Sequence, residues 1–177
     1  MTVILAAKDK NGKPYIGGDS CGFTNYFKYE YGTKISKIKN FLIGGSGSYR
    51  TQQLIEYNKD RFKNINNEKD VFDFLQVLKD ILRKDWTERE MKTDEDIDNN
   101  INFLIITKKD IYELDSDYSF HKVKIAATGI GSEYCLGAFT AIDKKKDIVK
   151  RIKEAIEITK KWHPFVGGKV YIETLKK

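Results

Sequence analysis

The chain has 177 residues, 40% hydrophobic and 33% charged, with a formal net charge of +6. That length can bury a full core without metal or disulfide support, which predicts one domain over residues 1–177. Cys21 and Cys135 have no metal-site or disulfide-framework spacing, no apolar run approaches a membrane span, and no charged segment leads into an apolar one at the N-terminus. A reduced, cytoplasmic protein without membrane contact is therefore expected. The excess lysines are dispersed in short runs such as Lys144-Lys145-Lys146 and Lys160-Lys161, which read as solvated helix ends rather than a nucleic-acid-binding stripe.

Thr2 to Lys8 is an apolar strand, Asp9-Lys10-Asn11-Gly12 a turn, and Tyr15 to Asp19 a second strand ending in an acid, so the chain opens on a hairpin. Removal of Met1 would leave Thr2 with a free α-amine beside its own hydroxyl. A nucleophile and a weak base on one residue is a recognised arrangement for covalent catalysis. Many proteins open on a Met-Thr strand that does no chemistry, so this pair gains meaning only from the residues that the rest of the chain sets beside it.

Ser20 to Phe27 is a polar-aromatic connection expected to run over the surface. Lys34 to Ile38 alternates and Phe41-Leu42-Ile43 is a short apolar run, two strands about a turn at Lys39-Asn40. The Gly-rich corner Gly44-Gly45-Ser46-Gly47-Ser48 opens a helix from about Tyr49 to Phe62. It lacks the Lys-Ser/Thr ending of a phosphate-binding P-loop and the spacing of a dinucleotide fingerprint. What survives is a backbone free to approach a ligand beside a helix N-terminus, a setting that suits an oxyanion.

Residues 68–84 carry Val71, Phe72, Phe74, Leu75, Leu78, Ile81 and Leu82 on one helical face behind Asn67 as N-cap, a core stripe. Asp85 to Asn100 is charged and aperiodic and reads as an exposed loop. A second hairpin runs from Ile101 to Ile106, turns at Lys108-Lys109-Asp110, and returns over Ile111 to Leu114. Val123 to Ala127 forms one more strand, ending in Thr128-Gly129-Ile130-Gly131-Ser132. The helix beginning there should turn Tyr134, Leu136, Ala138, Phe139 and Ile142 inward. A further helix over Asp147–Lys161 shows Ile148, Ile152, Ala155, Ile156 and Thr159 on one face and stops before Pro164. Val166-Gly167-Gly168 leads into a last strand, Lys169–Thr174. Four strands, two helices, three strands, two helices and one strand, without βαβ alternation, predict an α+β fold of antiparallel sheets covered by helices.

Taken together these pieces resemble the proteasome β-subunit and HslV-like family of N-terminal-nucleophile hydrolases over nearly the whole chain. The resemblance rests on Thr2 with Gly17-Gly18-Asp19, Lys34-Ile35, Gly44-Gly45-Ser46-Gly47, the hairpin Phe103–Leu114, Ala127 to Tyr134, and Val166-Gly167-Gly168. It implies a four-layer αββα sandwich, two antiparallel sheets flanked by helices. It also implies threonine-type endopeptidase activity on unfolded polypeptides inside a homo-oligomeric ring chamber, a ring-forming AAA+ ATPase as partner, and no cofactor or metal. Thr2 would be the nucleophile, Lys34 the cation beside it, Asp19 the acid holding that lysine, and the Gly47 N–H the oxyanion donor. Cys21, Gly45 and Tyr49 would line the substrate pocket, with Gly45 leaving room for a large side chain. Gly129 and Ser132 would be auxiliary.

Three positions depart from the family pattern. Ile130 replaces the serine between the two glycines, and His163 and Val166 stand where many members carry an acid and a serine. His163, at a helix end beside Trp162 and Pro164, reads as structural rather than as a base or metal ligand. These departures leave two rival readings: a proteasome-like shell or regulatory subunit with impaired turnover, and an amidase of the same class acting on a small molecule.

Overall fold

The computed structural model describes residues 2–23, 27–87 and 102–176. Six strands come first: β1 Ile4–Lys8, β2 Pro14–Asp19, β3 Cys21–Phe23, β4 Lys28–Glu30, β5 Ile35–Ile38 and β6 Phe41–Ser46. Helix α1 Tyr49–Tyr57, a 3-10 turn at Lys59–Arg61 and helix α2 Glu68–Thr87 come next. Then come β7 Asn102–Ile106, β8 Ile111–Leu114, β9 Phe120–Val123, β10 Ile125–Thr128, helices α3 Ser132–Ala141 and α4 Ile148–Trp162, and strand β11 Val170–Glu173.

The strands form two large antiparallel sheets, one ordered β10-β1-β2-β11 and the other β5-β6-β7-β8-β9, with β3 and β4 as a separate pair. Strand β1 explains the layering. Successive side chains of a strand point to opposite faces, and here both faces are buried, which is why the opening run is apolar without alternation. Val3, Leu5 and Ala7 pack with Ile148, Ile152, Ala155 and Ile156 of α4. Ile4 and Ala6 pack with Ile35, Leu42, Leu104 and Ile106 of the other sheet. On that sheet's far face Phe41, Ile43, Phe103 and Ile105 meet Val71, Leu75 and Leu78 of α2. Three apolar layers between helix, sheet, sheet and helix make the αββα sandwich. Leu5 is fully buried, and Leu5→Ala is expected to lower stability by about 2–5 kcal/mol, seen as a lower urea midpoint at unchanged slope.

Several local expectations need correction. Ser20, Cys21 and Gly22 are buried rather than superficial. Cys21–Phe23 pairs with Lys28–Glu30, because the polar Asp19-Ser20 step ends one strand without ending the extended chain. Gly44, Gly45 and Ser46 belong to β6, so the corner is shorter than the glycines imply. The expected single strand Val123–Ala127 is two, β9 and β10, and the chain changes sheet at Lys124. Phe72 is 51% and Tyr134 55% exposed. Each flanks its helix's buried stripe, and Cys135 takes the inward position on α3. Helix α2 runs on to Thr87 and buries Asp85, while 88–100 lies outside the described residues. Asn67 does accept from the Asp70 N–H at 3.2 Å as an N-cap. Among the described residues no helix is long and apolar enough to cross a membrane.

Candidate active site

The β1–β2 hairpin sets Ile4 opposite Gly18, so the residue before β1 and the residue ending β2 lie side by side. These are Val3 and Asp19, whose N–H donates to the Val3 carbonyl at 3.2 Å, and Thr2 is the next residue out. Strand β5 of the facing sheet begins just after Lys34, whose side chain crosses the sheet-to-sheet layer to reach them. Lys34 Nζ donates to Thr2 Oγ1, to Asp19 Oδ1 at 2.8 Å and to the Cys21 carbonyl at 2.6 Å. Those three acceptors use all three N–H bonds of an ammonium. Thr2 Oγ1 in turn donates to Asp19 Oδ1.

Asp19 is fully buried, and the structure surrounds its carboxylate with donors. Besides Thr2 and Lys34, Oδ1 accepts from the Val3 N–H at 3.0 Å, and Oδ2 accepts from Cys21 N–H at 3.3 Å and Gly167 N–H at 3.1 Å. Five donors on one carboxylate make a rigid anion that holds its shape without solvent. Burial pulls the Lys34 ammonium below the ordinary lysine value, while the charge and hydrogen bond of Asp19 push it back up. The lysine is thus poised, with its protonated form dependent on the acid. Both cysteine thiols are pushed up chiefly by burial, Cys135 to about 12, so neither is a ready thiolate nucleophile.

Thr2 opens onto a cleft of about 400 Å³ shared with Ser46, Gly47, Tyr49 and Arg50. Gly47 sits just before α1, and Ser48 caps that helix by accepting from the Arg50 N–H at 3.1 Å. Arg50 is itself clamped by buried Asp85 through Nε, at 3.0 and 3.2 Å, and Nη2. On the other side Gly131 N–H donates to the Thr2 carbonyl at 3.2 Å. Gly129, at φ +97°, comes so close that an added Cβ would overlap the Thr2 carbonyl oxygen and lie 2.9 Å from its Cγ2. A side chain at 129 would be strained by its backbone and would displace Thr2.

The structure brings together Thr2, Asp19, Lys34, Gly47, Tyr49 and Gly129. It treats the others differently. Ser132 is half-buried at the start of α3, and its Oγ makes no hydrogen bond to Thr2 among the described residues. Ile130 is 50% exposed. Cys21 contributes its carbonyl, while its thiol is turned to the carbonyls of Gly22 and Tyr29. Tyr49 packs on Tyr31 at 4.1 Å between ring centroids, and burial together with a hydrogen bond to Tyr29 raises its phenol pKa. Gly45 does not leave open room: the space its side chain would fill is taken by the ring of Phe103, its cross-strand partner. His163 lies edge-on to Tyr134 at 5.6 Å, a packing role.

Sequence reasoning missed three contributors. Gly167 supplies a backbone donor, Ser46 Oγ lies 3.3 Å from Thr128 Oγ1 between the sheets, and Phe103 fills the glycine gap. A glycine pair just before a final strand signalled close backbone approach but not its target.

No protein-family model matches the sequence, and no curated protein does either. Solved structures do. Thiobacillus denitrificans BPH is similar over 99% of both chains, at TM-score 0.79 and 21% identity. Thiobacillus denitrificans BPH in complex with epoxomicin covers 100% of both chains at TM-score 0.75 and 18% identity. Eukaryotic HslV from Trypanosoma brucei covers 99% of this chain and 100% of its own at TM-score 0.74 and 18% identity. The chain therefore has the HslV and proteasome-like fold expected from its sequence, and at these identities the likeness speaks for the fold alone.

Proposed function

We propose that this chain is an N-terminal-threonine peptidase that hydrolyses peptide bonds of unfolded polypeptides. The observation that carries the reading is the hydroxyl of Thr2 held between a buried ammonium and a buried carboxylate, Lys34 and Asp19, from three separate stretches of sequence. Surface ion pairs do not require such burial.

Loss of Met1 would free the Thr2 α-amine, whose unperturbed pKa of about 8 lets it accept a proton near neutral pH. The Thr2 Oγ would then attack the peptide carbonyl, forming a C–O bond while its proton passes to the amine, directly or through a water. The Gly47 N–H would bind the oxyanion, and such donors contribute about 3–4 kcal/mol each. Collapse breaks the C–N bond, and the amine returns the proton to the leaving nitrogen. Water then cleaves the ester and restores Thr2. Lys34 favours each anionic stage by its charge, and Asp19 holds it protonated.

Assembly into a self-compartmentalising ring, fed by a ring-forming AAA+ ATPase, belongs to the same proposal and draws on the resemblance of the sequence to the HslV-like family. A second reading, a shell or regulatory subunit with impaired turnover, draws on Ile130 and on Ser132 standing off from Thr2. Epoxomicin, the ligand of one structural neighbour, provides the test. Intact-mass analysis first establishes whether Met1 is removed, and then wild type and Thr2→Ala are incubated with a peptide epoxyketone. A covalent adduct on residue 2 of the wild type, absent in the variant, is expected. A wild type lacking Met1 that stays unlabelled would end the peptidase reading.

A further inference from the structure

The end of the sandwich opposite Thr2 gathers lysines from separate stretches of sequence. Strand β1 ends there at Lys8, about 20 Å from Thr2 by the rise of a strand. The β1–β2 and β7–β8 turns meet at this end, where Asp110 pairs with Lys8 at 3.3 Å and with Lys122 at 3.0 Å. Two clefts of about 350 and 340 Å³ open beside these turns and share Leu175 and Lys176. Lys13, Lys108 and Lys109 line the first with Asp9, and Lys37 lines the second with Glu173. Among the described residues Lys13, Lys37, Lys108, Lys109 and Lys176 form no ion pair. Asp9 is committed to its turn, accepting from the Asn11 and Lys13 N–H groups at 2.8 Å each. With Glu173 the only other acid in either lining, positive charge is in excess.

We infer that this end of the sandwich docks an acidic polypeptide segment of a separate protein, with its carboxylates on the lysines and its aliphatic side chains on Ile35, Leu42 and Leu175. Those three residues are the edge of the apolar layer between the two sheets, which the second cleft reaches. The chemistry of the linings selects this partner over a nucleic acid. Neither cleft is lined by an aromatic ring or an arginine, whereas single strands are held by stacking bases on aromatic rings and phosphates favour the arginine fork. Lysines are compact point charges on flexible stems, suited to carboxylates that project at intervals from an extended chain. Their charge steers and orients the partner, and aliphatic contact with the floor adds affinity by removing apolar surface from water. The surface lies apart from Thr2, so the inference stands independently of the peptidase reading.

The test follows fluorescence anisotropy of three labelled probes on the full chain: a short peptide alternating glutamate and leucine, an all-glutamate peptide of equal length, and a single-stranded oligodeoxynucleotide of similar length. The alternating peptide is expected to bind about tenfold more tightly than the all-glutamate one, and to weaken as salt rises. Lys13→Glu combined with Lys109→Glu should weaken it by about tenfold or more. Lys153→Glu combined with Lys161→Glu, both exposed on α4 and outside the two clefts, should change it by less than about twofold, because distant charges are screened. Thermal melts of both double variants should match wild type, which separates lost binding from lost folding. No binding of the alternating peptide, equal affinity for the two peptides, or equal loss in both double variants overturns the inference. Tighter binding of the oligodeoxynucleotide through Lys13 and Lys109 overturns it in favour of a nucleic acid. A sedimentation coefficient that falls in Lys13→Glu with Lys109→Glu overturns it in favour of a second copy of this chain.

Discussion

Lys34→Ala is expected to lower kcat/KM for peptide hydrolysis by about 10²–10⁴-fold, the range spanned by a positioned acid–base group. The side chain is almost wholly buried and donates to Thr2, Asp19 and the Cys21 carbonyl, so no solvent cation can take its place without rearrangement. Loss of the lysine also leaves Asp19 as a buried anion without its countercharge. Breaking such a pair from one side costs about 3–5 kcal/mol, and the remaining N–H donors from Val3, Cys21 and Gly167 soften that figure. Activity and stability are separable through a second change. Lys34→Ala combined with Asp19→Asn removes the charge imbalance, so the double variant should recover part of the lost stability while remaining inactive. Thermal melts and epoxyketone labelling read the two effects independently. A single variant that keeps wild-type labelling rates would show that the ammonium has no part in the chemistry.

Asp19→Asn is expected to be the most damaging isosteric change in the molecule. The carboxylate accepts from five donors, and an amide offers one oxygen and one NH₂. Whichever way it is turned, the NH₂ faces donors, either Lys34 and Val3 or Cys21 and Gly167. Each buried donor left unsatisfied costs about 1–3 kcal/mol, and labelling of Thr2 should fall with the loss of the group that holds Lys34. The pH dependence has a definite sign. Burial already lowers the Lys34 pKa below its ordinary 10.5, against the opposing pull of Asp19. Between the folded and unfolded values the unfolded chain binds more protons, so this lysine makes stability rise with alkaline pH across that window. Without Asp19 the folded value drops further and the window widens toward neutrality. The variant's deficit relative to wild type should therefore shrink as pH rises through it, which urea midpoints collected across the alkaline range will record. A deficit independent of pH would mean that Lys34 is not the titrating group.

Much of this site was readable from residue order. A tight hairpin with an acid at its far end returns that acid to the start of the chain, and the register Ile4 opposite Gly18 follows from a three-residue loop, Lys10 to Gly12, closed between Asp9 and Lys13 with Gly12 at φ +80°. The buried lysine then required a partner, and the acid at the end of that hairpin answers. The division of Phe120–Val123 from Ile125–Thr128 was not readable. Local pattern reports that a chain is extended, not which of two stacked sheets it joins, and the switch at Lys124 has no glycine or proline to mark it. Asp85 looked like part of a charged loop because its justification, the guanidinium of Arg50, lies far away in sequence. Phe103 and Gly45 pose the same difficulty. Each is ordinary within its own strand, and their meaning is the pair.

Asp19 also dates the moment at which the site is finished. One of its donors, the N–H of Gly167, comes from just before the strand that closes the edge of the β1–β2 sheet. A nascent polypeptide emerging from the ribosome can therefore pair its opening hairpin early, yet it cannot complete the cage around that carboxylate until synthesis has reached the final strand. A chain cut short before Gly167 would carry Thr2, Asp19 and Lys34 without the last of the donors that enclose that carboxylate.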